Sequence, residues 1–392
     1  MLTELGCGHK NYLQMQEWQS SVSGGIHASR SIRSYTDDEQ QLRAYYIFSG
    51  KALQRNNTKL AELMSTTLNN VRFDETERIA ELITQMRSRR ERSVTGSGHT
   101  LAMTAAASGM SPVAALNHQF AGLAGIKALK ILDDSHTEAA NLTETADIFS
   151  GIHRKIQAAK KTYMLVLEAD KQASTLAEFE SVWSPQTQVS SENFSLPKVR
   201  TQVKEMWIAN TQVNFCAKAY PTVTLEHEDA AALTVLGGFL RNGFLHTSIR
   251  EQGGAYGGGA THDIGIAAFK FYSYRDPRLS ETLDDFESSI DWMLDTEHDP
   301  RQLEEAILGV IGSMDKPGSP AGEARSAFHN ILHGRSKEKL QVYRQQVLAV
   351  TLEDLKRVTD KYLKQGTAST AVITSAATFE EVGDLGLDVI HL

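Results

Sequence analysis

Apolar and polar positions along the chain fall into an order of elements that is written twice. In the first half, Gly24-Gly25 opens GGIHASRSI, the alternating run LRAYYIFSG (42–50) predicts a strand, and Leu60, Leu63 and Met64 mark an amphipathic helix. In the second half, Gly253-Gly254 opens GGAYGGGATHD, and IGIAAFKFYSY (264–274) predicts a strand. Leu279, Leu283, Phe286 and Ile290 then mark the helix that follows. The parallel continues in FDETERIAELITQMRSRR (73–90) and DPRQLEEAILGVIGSMD (299–315), each an acidic helix start with apolar residues three and four apart. Each copy closes on an apolar strand and an acidic helix. These are TYMLVLEAD (162–170) before STLAEFESV (174–182), and STAVITSA (369–376) before TFEEVGDL (378–385). The pattern predicts a duplicated α+β domain, 1–185 and 198–392. Residues 186–197, within the polar, Pro-containing stretch SPQTQVSSENFSLP, form the linker.

The copies differ at their starts. Before its Gly-Gly pair the second half has a strand candidate, QVNFCAKAY (212–220), and a helix candidate, HEDAAALTVLGGFLRN (227–242). Little chain precedes Gly24, so a strand and most of a helix have no counterpart in the first copy. Either that domain is minimal or the sequence is a piece of a longer protein that starts inside a domain; the piece is the expectation.

The copies also differ around the glycines. LHTSIREQGGAYGGGATHD (245–263) places Arg250 and Tyr256 on either side of the Gly253-Gly254 pair. A glycine cluster of this kind reads as a flexible turn, or as backbone stripped of side chains so that a peptide can approach. A phosphate cradle does not fit. No Lys-Ser, Lys-Thr or G-x-G-x-x-G register accompanies the glycines, and a strand pattern rather than a helix follows. In FSGKAL, Ala52 stands where a magnesium-binding hydroxyl would be needed.

Composition narrows the function classes. A chain of 392 residues, 41% hydrophobic and 22% charged, can fill two cores and has ordinary globular chemistry. Its net charge of −8 argues against nucleic acid, and no apolar run approaches a membrane span of roughly 20 residues. Cys7 and Cys216 are isolated, which points to a reducing compartment: the cytoplasm, with an organelle matrix as the alternative. The basic run 86–92 reads as a solvated helix end, 133–147 as a polar connector with a helix cap at Thr143, and 269–274 as a two-sided strand. No zinc motif is complete. In HNILH, Leu332 replaces the general-base Glu of an inverted H-x-x-E-H, and His329 and His333 lack a third ligand. His9, His27 and His99 are scattered singles.

SVSGGI, FSGKAL and above all SIREQGGAYGGGA with FYSYRDPRLSETLDDF resemble the C-terminal half of a pitrilysin or insulinase family zinc peptidase, closest to its presequence-protease branch. The resemblance spans essentially the whole chain. It implies insulinase-like α+β domains, each a mostly antiparallel sheet packed with helices, here the third and fourth of four. Zinc would lie in the missing N-terminal half, so this chain would hold no cofactor and hydrolyse nothing alone. Its implied partners are that catalytic half and unstructured peptides, with a homodimer of the fragment through an exposed inner wall as a further expectation. The resemblance also implies that Arg250 positions the peptide and that Tyr256 stabilises the tetrahedral intermediate. Gly254, Gly257 and Gly258 are the candidate substrate-facing backbone. A catalytically inactive core or peptide-holding subunit of the same fold is the alternative. By themselves, Arg250 also reads as a helix-end or surface ion-pair residue and Tyr256 as a ring packed on the sheet.

Overall fold

A computed structural model describes residues 1–183 and 194–392, so most of the expected 186–197 linker lies outside the described residues. The chain divides into two compact units. The first comprises Met1–Ile32, Ala44–Arg89 and Leu129–Phe194; the second comprises Arg33–Arg43, Arg90–Ala128 and Ser195–Leu392.

The first unit is mainly helical. Helix Tyr12–Val22 starts at a capping box in which Asn11 and Gln14 satisfy each other's backbone N–H groups. Its apolar residue Met15 packs with Leu63 of helix Asn57–Asn69, while Ile79 and Ile83 of helix Thr76–Gly96 close a second cluster with Leu5. Strands β1 (Ile26–Ser34) and β2 (Leu42–Gly50) pair with each other. Two expectations fail here. Residues 133–147 are largely helical rather than a connector: helix Leu123–Ser135 takes in its start and helix Ala139–Ala158 its remainder. Thr143 is not a cap, because its hydroxyl donates to the Ala139 carbonyl inside the helix.

TYMLVLEAD forms no strand, although the apolar content is there. Its counterpart in the second unit, β7 (Ser369–Thr374), is held between β3 (Lys204–Ile208) and β4 (Phe215–Pro221) and bonds to both. Among the described residues the first unit shows no counterpart of β3 or β4 and no strand pairs with the segment, and Tyr163, Leu165, Val166 and Leu167 remain exposed.

The second unit has a complete sheet, and it bears out the α+β class. Strands β5 (Gly257–Asp263), β6 (Ala268–Tyr274) and β8 (Asp388–His391) join the three already named. Among the described residues the order is β5-β6-β4-β7-β3-β8. Pairings from β5 through β7 are antiparallel, and β3 runs parallel to β7 and β8. β4 is buried along nearly its whole length, as a central strand covered on both faces must be. Helix Ala230–Leu240 is apolar all round and packs on β5, a close approach that needs Gly237 opposite the Ala260 carbonyl. Helix Gly98–Ala106 lies against β4, β6 and β7. A side chain at Gly98 would come 2.5 Å from the Phe215 ring, so only glycine lets the helix settle there. β6 starts at Ala268, later than the alternation suggested, because Ala267 turns the chain at φ 51°.

At the start of helix Ala230–Leu240, Asp229 is wholly buried. It accepts from Arg357 at 2.5 Å, Lys361 at 2.9 Å and the Tyr362 hydroxyl at 2.7 Å.

Candidate functional site

Helix Ala230–Leu240 does not end at Asn242. It runs on into a π-helical segment, Arg241–Gln252, whose i→i+5 bonding is continued by the Gly253 N–H donating to the Ser248 carbonyl at 2.9 Å. Wider turns change which side chains stack. On an α-helix His246 and Arg250 would sit roughly 140° and 180° around from Arg241. With five-residue bonding, residues four and five apart line one face, and Arg241, His246 and Arg250 do so here.

The segment is pinned at its far end. Arg278 donates to the Ser248 carbonyl at 3.2 Å and to Asp285 at 2.7 Å. Asp276, pushed up by burial, accepts from Thr282 at 2.8 Å and from the Arg278 N–H at 3.0 Å. Gly254 then reverses the chain at φ 78°, a left-handed conformation that suits glycine. The Tyr256 N–H donates to the Tyr274 carbonyl at 3.0 Å, and β5 begins.

The glycine cluster is therefore a turn at Gly253-Gly254 and an edge strand from Gly257 onward. Gly257 faces Tyr274 in the ladder, Gly258 faces Ser273 and Gly259 faces Tyr272. At Gly258 and Gly259 side chains are missing because there is no room for them. A Cβ on Gly258 would lie 2.7 Å from the buried Ile249 side chain, and one on Gly259 would meet the Arg241 stem at 3.0 Å. Gly258→Ala should cost about 1–3 kcal/mol by overpacking, read from urea unfolding. Gly257→Ala, whose added carbon meets nothing within 4 Å, should be neutral or stabilising by up to about 1 kcal/mol.

Beside this strand opens a cavity of about 410 Å³. Arg241, Asn242, His246 and Arg250 form one wall, Gly257 and Gly258 the next, and Tyr272 and Tyr274 another. His99, from helix Gly98–Ala106, completes it. Its ring stands 4.7 Å from that of Tyr274, edge to face, and 5.7 Å from that of Tyr272. Burial lowers the His99 pKa. His246 lies 3.4 Å from Glu251, whereas Arg250 has no carboxylate within ion-pair distance among the described residues.

Of the residues singled out from sequence, Arg250, Gly257 and Gly258 line this cavity; Gly254 and Tyr256 do not. Gly254 sits at the turn against Pro277. Tyr256 projects outward, 70% exposed, its ring edge-on to Tyr274 at 6.1 Å and 5.8 Å from the Arg275 guanidinium. Its hydroxyl bonds to nothing among the described residues. A ring set edge-on against the sheet with its hydroxyl in water, one of the readings open from sequence, fits this placement as well.

His99, Arg241, His246, Tyr272 and Tyr274 were not foreseen as one site. The alternation in β6 does put Tyr272 and Tyr274 on one face, so those two were legible. His246 and Arg250, four apart, share an α-helical face, but Arg241 lies on the opposite side of an α-helix from both, and His99 comes from a distant stretch of chain.

Among the described residues no group of three or more His, Cys, Asp or Glu side chains converges as a metal site would. The environment of HNILH also does not fit a cation. Burial, with Arg33, Arg335, His329 and Arg43 around it, pushes His333 down to about 4.

Residues 1–132 match the family model for the domain associated with peptidase M16, subfamily C, and 204–377 match the one described as "PreP C-terminal domain". The chain thus belongs to the M16 peptidases, the pitrilysin and insulinase group. Within that group its relatives include mitochondrial presequence proteases. Those of Xenopus tropicalis and Xenopus laevis are 29% and 30% identical, each over 95% of this chain. The chain spans only 39% of the length of either relative. In fold it is similar to a peptidase M16 inactive domain from Pseudomonas fluorescens. That likeness has a TM-score of 0.59 and 15% identity, and covers 96% of this chain and 86% of that one. No helix among the described residues is long and apolar enough to cross a membrane.

Proposed function

We propose that this chain is the non-zinc-binding C-terminal half of a zinc-dependent oligopeptide endopeptidase, the third and fourth of four insulinase-like domains. It closes the peptide chamber and presents Arg250 and Tyr256 to a substrate held at zinc in the N-terminal half. The carrying observation is that Arg250 reaches an open cavity and Tyr256 stands exposed beside it, neither hydrogen-bonded nor ion-paired through its side chain within its own unit. Both side chains project into solvent with no hydrogen-bond or ion-pair partner among the described residues to hold them, so each is free to engage a peptide brought to this face.

The chemistry follows from the groups. When water attacks an amide, charge develops on the carbonyl oxygen, and a fixed phenol O–H donates more strongly to that oxygen than to the ground state. Arg250 cannot lose its charge and can donate to two peptide carbonyls, so it suits holding the backbone. Gly257, with open space where a side chain would stand, leaves the edge strand open to close approach. The mitochondrial names of the relatives support an organelle over the cytoplasm for the parent enzyme.

Fold likeness to an inactive M16 domain is common to this reading and to that of a scaffold subunit. The unpaired Arg250 and Tyr256 favour the enzyme, because a scaffold has no need of them. Mixing this chain with a separately made N-terminal half and zinc should restore cleavage of an unstructured peptide. Well-folded halves that associate without activity would count against it. In the restored enzyme Arg250→Ala should weaken peptide binding and turnover together. The loss expected for charged hydrogen bonds is about 1.5–3 kcal/mol in kcat/KM. Unchanged kinetics would return Arg250 to the surface.

A further inference from the structure

We propose that the cavity beside Arg250 is a carboxylate-binding subsite that takes the anionic group of a peptide, with Arg241 as its principal donor. The inference rests on the peptide-holding reading above and names what part of the peptide this cavity selects.

Two guanidinium groups, Arg241 and Arg250, line the same small space, and neither has a carboxylate within 4.0 Å among the described residues. The Arg241 Nε–H donates to the Asn242 side-chain carbonyl at 3.2 Å, which orients the group and leaves its terminal N–H groups uncommitted. Glu251, the acidic residue nearest in sequence, is turned to His246 instead. On a chain of net charge −8, a cavity walled by two arginines is a local departure that calls for an anion.

The walls add shape to the charge. Gly259 has no side chain, so the Arg241 stem and the Tyr272 hydroxyl converge over it, at 3.0 Å and 3.2 Å from where a Cβ would stand. A hydroxyl is thereby set beside the Arg241 stem. Fork-shaped guanidinium donors match the two oxygens of a carboxylate. His99, braced between the two tyrosine rings, closes the side away from the π-helical segment. About 410 Å³ is room enough for a terminal residue or an acidic side chain.

A carboxylate can come from the free C-terminus of a peptide or from a Glu or Asp side chain. Three versions of one peptide separate these sources: a free acid without acidic residues, its C-terminal amide, and the amide with one Glu. Each is titrated into the full chain up to millimolar concentration, following arginine and histidine side-chain resonances by NMR. The expected result is at least tenfold tighter binding of a carboxylate-bearing peptide than of the plain amide. Arg241→Gln, checked for folding by its thermal midpoint, should bring that peptide down to the affinity of the amide. An advantage for the acid names the C-terminus as the source; one for the Glu peptide names the side chain. Equal binding of all three would overturn the subsite and leave the peptide-holding reading standing. A preference that survives Arg241→Gln would remove it from this cavity. No binding by any version would overturn the subsite, while the chamber reading stands or falls on activity restored with the N-terminal half.

Discussion

In the intact or reassembled peptidase, Tyr256→Phe is expected to lower kcat by about a hundredfold to a thousandfold, with little change in KM. That is the usual cost of losing one oxyanion donor, about 2.7–4 kcal/mol of barrier. The structure makes the experiment clean. Tyr256 is 70% exposed, its hydroxyl bonds to nothing among the described residues, and its ring contacts with Tyr274 and Arg275 survive in phenylalanine. Folding stability should therefore stay within about 0.5 kcal/mol, so lost activity cannot be put down to unfolding. Steady-state kinetics on a peptide, with urea unfolding of the same preparation, checks both halves of the expectation. An unchanged kcat would take Tyr256 out of the chemistry.

The largest expected effect on stability is at Asp229. Its carboxylate is wholly buried, ion-paired with Arg357 and Lys361, which are each about half exposed, and bonded by the Tyr362 hydroxyl. Asp229→Ala removes these bonds but leaves the cations solvated, and should cost about 1.5–3 kcal/mol. Burial alone would raise this carboxyl, but the bonds from Lys361, Tyr362 and Arg357 outweigh it and hold the group at about 2. A carboxyl lowered in the folded state contributes stability that is complete above its ordinary pKa of about 3.8 and is lost as pH falls towards 2. Wild type should lose stability across that window, and Asp229→Asn should lose less there while starting lower at neutral pH. Denaturant midpoints between pH 2 and 7 would show it, and parallel pH curves would refute it. Asp229 heads the helix that continues into Arg241–Gln252, so the effect should also loosen the site.

Local pattern carried much of the fold because amphipathic periods are local. The acidic-headed helices at Thr76–Gly96 and Pro300–Met314, and strands β2, β4 and β7, lie where alternation and helix starts put them. TYMLVLEAD shows the limit of that reasoning. A strand exists only with a neighbour, and apolar residues cannot supply one. Asp133–Asp147 failed for a related reason: polar residues on the outer face of a helix look the same in sequence as a polar loop.

By itself the sequence determined an order of amphipathic elements that repeats in its two halves, the divergence of those halves at Arg250, Tyr256 and the added glycines, and a resemblance to half of an M16 peptidase. Those are matters of order and spacing along one dimension. Only the tertiary structure decided that Gly257 to Gly259 are an edge strand and that Tyr256 points outward. It alone brought Arg241, His246 and Arg250 to one cavity with His99. The reason is physical: five-residue helical bonding turns Arg241 onto the face of His246 and Arg250, and tertiary packing brings His99 from a distant stretch, neither of which an α-helical or strand period announces.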